Sequence, residues 1–200
     1  MGMKCTFALI GLCALFGILQ VTVPGFTEAL LLTPVAWSEP WRFVTAVFLH
    51  GDIGHFFYNM LALFFFGLVL ERDIGSKRFL LVYGLAGIGA NLLSVFFYPA
   101  SLGASGAIFG LIGALVVMKP GMMVDAFGIP LPLVVAGLLW AVIDIVGVFA
   151  PSGTANLAHL SGMSVGLVFG FIYRPFVTRI VRRPLIVDER SMRAWEDASL

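Results

Sequence analysis

The stretch Gly103-Ala-Ser-Gly-Ala-Ile-Phe-Gly110 opens an apolar helix that is too short to cross a bilayer, and the predicted architecture is arranged around this helix. We predict this helix over 105–118, which makes it roughly 21 Å long against a hydrocarbon core of roughly 30 Å. In a membrane protein Ser105 would therefore begin its helix below the membrane surface. Non-helical backbone at that depth is tolerated only inside protein or beside a water-filled cavity. A hydroxyl placed in such a cavity indicates a functional site.

The composition predicts a polytopic helical membrane protein. Of the 200 residues, 60% are hydrophobic and only 12% are charged, with a mean hydropathy of +1.03. A soluble domain is typically about half apolar and one quarter charged. The two cysteines, Cys5 and Cys13, would lie roughly 12 Å apart along one helix, too far for a disulfide. We expect no metal site and no nucleic-acid partner, and the lipid bilayer as the surroundings.

Six apolar segments predict an all-α bundle of six transmembrane helices with a short central fourth helix. The bundle would occupy 1–175, with an outer interfacial loop over 24–53 and a short basic and polar tail over 176–200. The first segment is interpreted as a helix rather than a cleaved signal peptide, because it is long and lacks a small-x-small cleavage site. The predicted helices are 5–23, 54–70, 78–97, 105–118, 129–149 and 155–173.

The basic residues predict the orientation of the bundle. With six spans both termini lie on one side, and eleven of the twelve Lys and Arg residues fall there. The positive-inside rule makes that side cytoplasmic. Arg42 lies on the other side, where we interpret Arg42, Glu39 and His50 as residues that brace the outer loop. Helices two, four and six would then all run inward from the outer side.

Four polar residues fall at similar depth on these three helices. His55 and Asn59 share one face in the first turns of helix two, Ser105 opens helix four, and His159 lies about one turn into helix six. Strongly polar groups are costly inside a bilayer and are functional candidates by default. Each residue alone is more often a packing or hydrogen-bonding residue. Their coincidence at one depth favours a site.

Small residues predict which helices touch. Stripes of small residues at every fourth position let helix backbones approach closely, and His159 lies on the glycine face of helix six. Packing the stripes of helices four and six together would bring its imidazole towards Ser105. The two stripes are Gly162, Gly166 and Gly170 on helix six, and Gly106, Gly110 and Ala114 on helix four.

A serine beside a histidine is the minimum for nucleophilic catalysis, because the imidazole takes the hydroxyl proton and later returns it to the leaving amine. Donors for the developing oxyanion would be the side chains of Asn59 and His55 and the backbone N–H of Ser105. No acid is placed by the sequence to orient His159. Asp144 lies late in helix five, and its partner is not readable from the sequence, so a Ser-His dyad is the simpler interpretation.

At this point the chain resembles a rhomboid intramembrane serine protease over about 41–170. A Gly-x-Ser-Gly motif alone would be a weak signal, but the matching residues in this order on helices two, four and six are specific. They are Trp41-Arg42, His50, His55-Phe-Phe-Tyr-Asn59, Gly103-Ala-Ser105-Gly106, Ala158-His159-Leu-Ser-Gly162 and Gly166.

The resemblance implies the minimal six-helix form, without cofactor, cleaving single-span membrane-protein substrates near the membrane surface. It makes Ser105 the nucleophile and His159 the general base, with His55 and Asn59 as oxyanion donors. The family's aromatic residue that packs on the histidine is Phe109 here. Helix five and the loop after it resemble the family's substrate gate. The expected location is a prokaryotic cell membrane, with both termini cytoplasmic.

Two other classes of function stay open. One is a catalytically silent rhomboid-like protein that acts as a binding or quality-control module, against which the intact Ser105 and His159 argue. The other is a small transporter that uses the polar cavity as a path. A transporter predicts paired intramembrane charges or inverted repeats, and the sequence shows neither.

Overall fold

The computed structural model describes residues 4–126, 128–150 and 153–181, with side chains described as far as Arg174. Helices account for most of these residues. They are α1 (Lys4–Thr22), α2 (Phe26–Leu30), α3 (Arg42–Thr45), α4 (Ile53–Ala62), α5 (Leu68–Ile74), α6 (Ser76–Phe97), α7 (Ser105–Met118), α8 (Leu133–Phe149) and α9 (Asn156–Val181). Shorter pieces are the 3₁₀ turns Pro34–Trp37 and Ala46–Phe48 and a π-helical turn, Leu63–Gly67, which joins α4 to α5.

The long helices make the protein a polytopic membrane bundle, as predicted. Among the described residues, four helices are long and apolar enough to cross a membrane: Lys4–Thr22, Ile53–Ile74, Ser76–Phe97 and Asn156–Arg174. Helices α7 and α8 are apolar but shorter. The count of six spans therefore stays a prediction, as does the tail over 176–200, most of which lies outside the described residues.

The second helix continues past the predicted end at residue 70 because its polar end has a structural role. Glu71 is only 3% exposed. Its carboxylate accepts the backbone N–H groups of Cys5 and Thr6 and the hydroxyls of Thr6 and Ser76. The first N–H groups of a helix have no partner within that helix, and Glu71 satisfies those at the start of α1. Glu71, at the end of the second helix, is thus buried and caps the start of α1.

A β-hairpin precedes α8, and the predicted start of helix five at residue 129 is wrong. Strands β1 (Met123–Ala126) and β2 (Ile129–Pro132) pair antiparallel, with Ala126 opposite Ile129. Pro130 and Pro132 lie in β2, and proline disrupts a helix interior because it has no N–H and its ring clashes with the preceding turn. An edge strand tolerates proline, so α8 begins only at Leu133.

Helix α7 is the centre of the bundle, with ten of its fourteen residues buried. A Cβ on Gly162 would collide with the carbonyl oxygen of Gly106, and a Cβ on Gly166 with that of Gly110. One step of four residues along α9 thus matches one step of four along α7. The two helices are therefore parallel and in register along their small residues, which confirms the predicted packing of the two stripes.

The outer loop is held by Arg42, as interpreted from the sequence. Its guanidinium pairs with Glu39 at 2.6 Å and donates to the carbonyl oxygens of Glu28 and Leu31. The loop is also bonded to the segment that leads into α7, since the N–H of Gly103 donates to the carbonyl of Ala46. The loop therefore fixes the backbone immediately before Ser105.

Candidate functional site

Ser105 and His159 are in hydrogen-bond contact. Ser105 is the first residue of α7 and His159 lies one turn into α9, so the register of the two helices brings them together. The Nε2 atom of His159 lies 2.8 Å from the Oγ atom of Ser105. The His159 side chain is only 12% exposed. An imidazole at this distance is placed to accept the hydroxyl proton.

Asp144 lies against the other nitrogen of the same ring. Its Oδ1 atom is 3.0 Å from Nδ1 of His159, and the residue is 4% exposed. The expectation that no acid is placed to orient His159 is therefore wrong. The sequence indicates only a similar depth for the two residues and not their contact: Asp144 stands five residues before the end of α8, and His159 three residues after the start of α9. Neighbouring antiparallel helices bring such positions to similar depth.

Phe109 packs on His159, as the family resemblance implies. The two rings are stacked, with centroids 4.3 Å apart and planes 8° apart. Phe109 lies one turn after Ser105 on α7, on the same side of the helix. The stack covers one face of the imidazole and restricts its rotation, which keeps Nε2 directed at the hydroxyl.

His55 and Asn59 are fixed at the start of α4. Asp52 caps this helix by accepting the backbone N–H of His55 at 2.8 Å. The N–H of Gly51 donates to Nδ1 of His55 at 3.3 Å, so in the neutral ring the proton is on Nε2. The Asn59 amide donates one N–H to the carbonyl of His55 at 2.8 Å and keeps a second N–H for another acceptor.

Gly103 allows the His55 ring to approach Ser105. Its φ of +128° is a conformation that residues with a side chain rarely adopt. A Cβ on Gly103 would lie 2.9 Å from Nε2 of His55 and 3.8 Å from Oγ of Ser105. The glycine therefore leaves space between the ring and the hydroxyl that any side chain would fill.

The four residues predicted from the sequence surround one cavity. Ser105, His159, His55 and Asn59 all line a cavity of about 990 Å³ at the N-terminal ends of α4, α7 and α9. A second cavity, of about 730 Å³, also reaches Ser105 and Asn59 and has a mainly apolar lining between the helix Ile53–Ile74 and α8. Among the described residues, no group of three or more His, Cys, Asp or Glu side chains is placed to hold a metal ion.

His50 adjoins the site from the outer loop and is 7% exposed. Its ring contacts those of His55 and Phe56, with centroids 5.2 and 5.3 Å apart. Burial, and secondarily the nearby His55, lower the pKa of His50 from 6.5 to about 4. The carbonyl of Phe48 partly opposes this shift, although its geometry falls short of a hydrogen bond to the ring. His50 is therefore a neutral packing residue at physiological pH.

We expect this burial to make the fold sensitive to acid. The unfolded chain binds a proton at His50 below pH 6.5 and the folded chain only below about pH 4, so stability falls as the pH drops through that window. The largest loss from this residue is about 3 kcal/mol. Unfolding in detergent, followed from pH 7.5 to 4, should show a flatter pH dependence for His50→Phe than for wild type. Equal slopes in the two proteins would contradict the assignment.

The sequence is similar to those of known proteins over the region that contains this site. The sequence matches the Rhomboid domain model over residues 37–176. It is 35% identical to RHOMBOID-like protein 4 of Arabidopsis thaliana over 146 residues, which is 69% of this chain. It is 36% identical to RHOMBOID-like protein 1 of the same plant over 140 residues, or 68% of this chain. With Rhomboid protease GluP of Bacillus subtilis (strain 168) the identity is 38% over 136 residues, or 66% of this chain.

These relatives are longer proteins. The chain spans 35% of the length of each of the two plant relatives and 26% of the bacterial one. The matched region contains Ser105, His159, His55 and Asn59. Because the relatives come from a plant and from a bacterium, the prokaryotic location stays a prediction.

Proposed function

Because the chain belongs to the rhomboid family, we propose that it is an intramembrane serine endopeptidase. It would hydrolyse a peptide bond in or next to the transmembrane segment of a single-span membrane protein. The observation that carries the proposal is the 2.8 Å contact between Nε2 of His159 and Oγ of Ser105. Ser105 is the first residue of α7, and this helix begins beside a cavity. The family implies a protein that resides in the lipid bilayer and acts on membrane proteins in general.

In the first half of the reaction Ser105 would attack the substrate carbonyl carbon. His159 Nε2 takes the hydroxyl proton as the bond from Oγ to carbon forms, which gives a tetrahedral oxyanion. The peptide C–N bond then breaks, and the same proton passes from His159 to the leaving amine. The product at this stage is an acyl-enzyme on Ser105.

In the second half His159 would take a proton from water while the water oxygen attacks the acyl carbon. The bond to Ser105 Oγ breaks, and the serine regains a proton from the imidazole. Three donors are available for the oxyanion in both halves: the backbone N–H of Ser105, the Nε2–H of His55 and the second amide N–H of Asn59. Donors of this kind stabilise the charge that develops in the transition state.

The two cavities suggest separate routes for water and for the substrate. The larger cavity is lined by polar and loop residues such as Asp52 and Thr154 and is suited to water. The smaller one is lined by Phe65, Phe66 and Trp140 and is suited to an apolar segment. A helical segment hides its carbonyls in hydrogen bonds, so we expect cleavable segments to contain helix-destabilising residues near the cut.

The basic residues support a proposed topology in which the cavity opens to the outer side and the tail is cytoplasmic. Cysteine accessibility offers a direct check. A cysteine introduced at exposed Gly51 should react with a membrane-impermeant maleimide from outside intact cells, and one introduced at Gly121 should react only after the membrane is permeabilised. The native cysteines, Cys5 and Cys13, are first replaced by serine and alanine.

We expect a fluorophosphonate probe to label the detergent-purified wild type on Ser105 alone. The activated hydroxyl attacks the phosphorus and displaces fluoride, and mass spectrometry of the digested protein locates the adduct. Ser101 lines the same cavity, whereas the serine hydroxyl that the structure bonds to His159 is that of Ser105, so Ser101→Ala is the matched control and should label like wild type. Protein unfolded in detergent at high temperature should not label.

Absence of labelling in folded wild type, seen with two chemically different serine probes, would favour the catalytically silent binding protein instead. An adduct on another serine would contradict the assignment of Ser105. Cleavage of a single-span reporter in proteoliposomes completes the test, because labelling alone shows an activated serine and not a protease.

A further inference from the structure

We infer that Asp144 is a positioning residue for His159, so that the site is a Ser-His-Asp triad rather than a dyad. The inference rests on the proposed function. Its basis is that the imidazole of His159 lies between two polar groups. The carboxylate of Asp144 is 3.0 Å from Nδ1, and the hydroxyl of Ser105 is 2.8 Å from Nε2. The three residues come from three different helices, α8, α9 and α7.

The burial of Asp144 makes its contact with His159 energetically important. The side chain is 5% exposed, and an ionised carboxylate is costly to bury unless it is paired or hydrogen-bonded. Among the described residues, its Oδ2 atom has no hydrogen-bond partner, so His159 provides the one hydrogen bond that the structure shows for this carboxylate. Asp73 differs, because it pairs with Lys119 at 2.8 Å. Within the part of the chain that the structure describes, the ion-pair partner of Asp144 is therefore the imidazole of His159 once that ring gains a proton.

The chemical consequence concerns the imidazole proton. A carboxylate against Nδ1 holds the neutral ring in the tautomer with the proton on Nδ1, which leaves the Nε2 lone pair free for the hydroxyl of Ser105. When Nε2 takes that proton, the resulting imidazolium lies between the carboxylate and the developing oxyanion. Stacking on Phe109 restrains the plane of the ring, but a stack does not select one tautomer. We assign the selection of the tautomer with the proton on Nδ1 to Asp144.

The first readout does not depend on activity. The chain has three histidines, so a protein labelled with ¹⁵N at the imidazole nitrogens gives few NMR signals, and the signals missing from His159→Gln identify those of His159. Wild type is expected to carry the neutral-ring proton on Nδ1. In Asp144→Asn the carboxamide can donate to Nδ1, which moves the ring proton to Nε2. A wild-type ring protonated on Nε2 overturns the inference without any variant.

The second readout separates positioning from substrate binding. In Asp144→Asn we expect kcat for reporter cleavage to fall by about 10²- to 10⁴-fold, with KM within about threefold of wild type. Asp144→Glu keeps the carboxylate and should recover part of kcat. Asp73→Asn, which removes a carboxylate far from the site, is the matched control and should leave kcat unchanged. A purely structural role for Asp144 would lower stability in both variants without changing the tautomer.

The two proposals fail in different ways. If wild type cleaves the reporter, and Asp144→Asn keeps both the tautomer and kcat within threefold, the positioning role is wrong and the protease stands. If wild type neither labels nor cleaves, yet its ring proton moves from Nδ1 in Asp144→Asn, the protease is wrong and the role of Asp144 towards His159 stands.

Discussion

Ser105→Ala and His159→Gln are each expected to lower kcat for reporter cleavage by about 10⁴-fold or more, and the double variant is expected to lower it little further. In the proposed mechanism Ser105 supplies the atom that bonds to the substrate, and the imidazole of His159 lies within hydrogen-bond distance of that atom. Residues that act as one unit are strongly non-additive, because losing either one removes the covalent route.

The measurement is single-turnover cleavage of the reporter in proteoliposomes, with all four combinations of the two residues. Ser101→Ala is again the control, since Ser101 is another serine that lines the cavity. Independent losses that multiply in the double variant would show that the two side chains do not act together. Substantial residual cleavage in Ser105→Ala would assign the nucleophile elsewhere.

The second large effect is expected on stability, in Gly162→Ala. The added methyl would meet the carbonyl oxygen of Gly106, and a backbone atom cannot move aside as a flexible side chain can. Helices α7 and α9 must then separate, at a cost of about 3 kcal/mol. Separation also lengthens the contact between His159 and Ser105, so we expect the surviving folded protein to label more slowly with fluorophosphonate.

Gly84→Ala is the matched control for this effect. Gly84 also lies within a long helix, α6, but a Cβ there meets no atom within 4 Å. Alanine has a higher helix propensity than glycine by about 1 kcal/mol, so this variant should be as stable as wild type or more stable. Unfolding in detergent, followed by tryptophan fluorescence, compares the two. A Gly162→Ala protein as stable as Gly84→Ala would contradict the close packing of the two stripes.

Much of the bundle was predictable because membrane helices depend on local properties. The structure reproduces the predicted helix over 105–118 and places the predicted glycines of α7 and α9 in contact. Both predictions follow from hydrophobic length and from the spacing of small residues, which can be read along a single segment. The hairpin before α8 was not predicted, because Pro130 and Pro132 lie at the start of an otherwise apolar segment. Their missing N–H groups exclude a helix there.

The site was predictable where its residues share a motif or a register. Ser105, His55 and Asn59 occupy the first turns of their helices, and the glycine stripe sets the position of His159 relative to Ser105. The contacts of Gly51 and Gly103 with the His55 ring were not foreseen. They depend on how the segments before α4 and α7 lie against the His55 ring, and no sequence pattern marks these backbone positions.

Hydropathy and the spacing of small residues are enough to predict a helical membrane bundle with a short serine-bearing central helix and to identify the residues that surround the cavity. These properties follow from the cost of burying polar groups in lipid and from the helical repeat. The contact of Asp144 with Nδ1 of His159 is visible only in the folded structure. Whether one carboxylate of α8 meets one imidazole of α9 depends on the rotation and depth of two helices, and changes of a few ångströms there leave the hydropathy pattern unaltered.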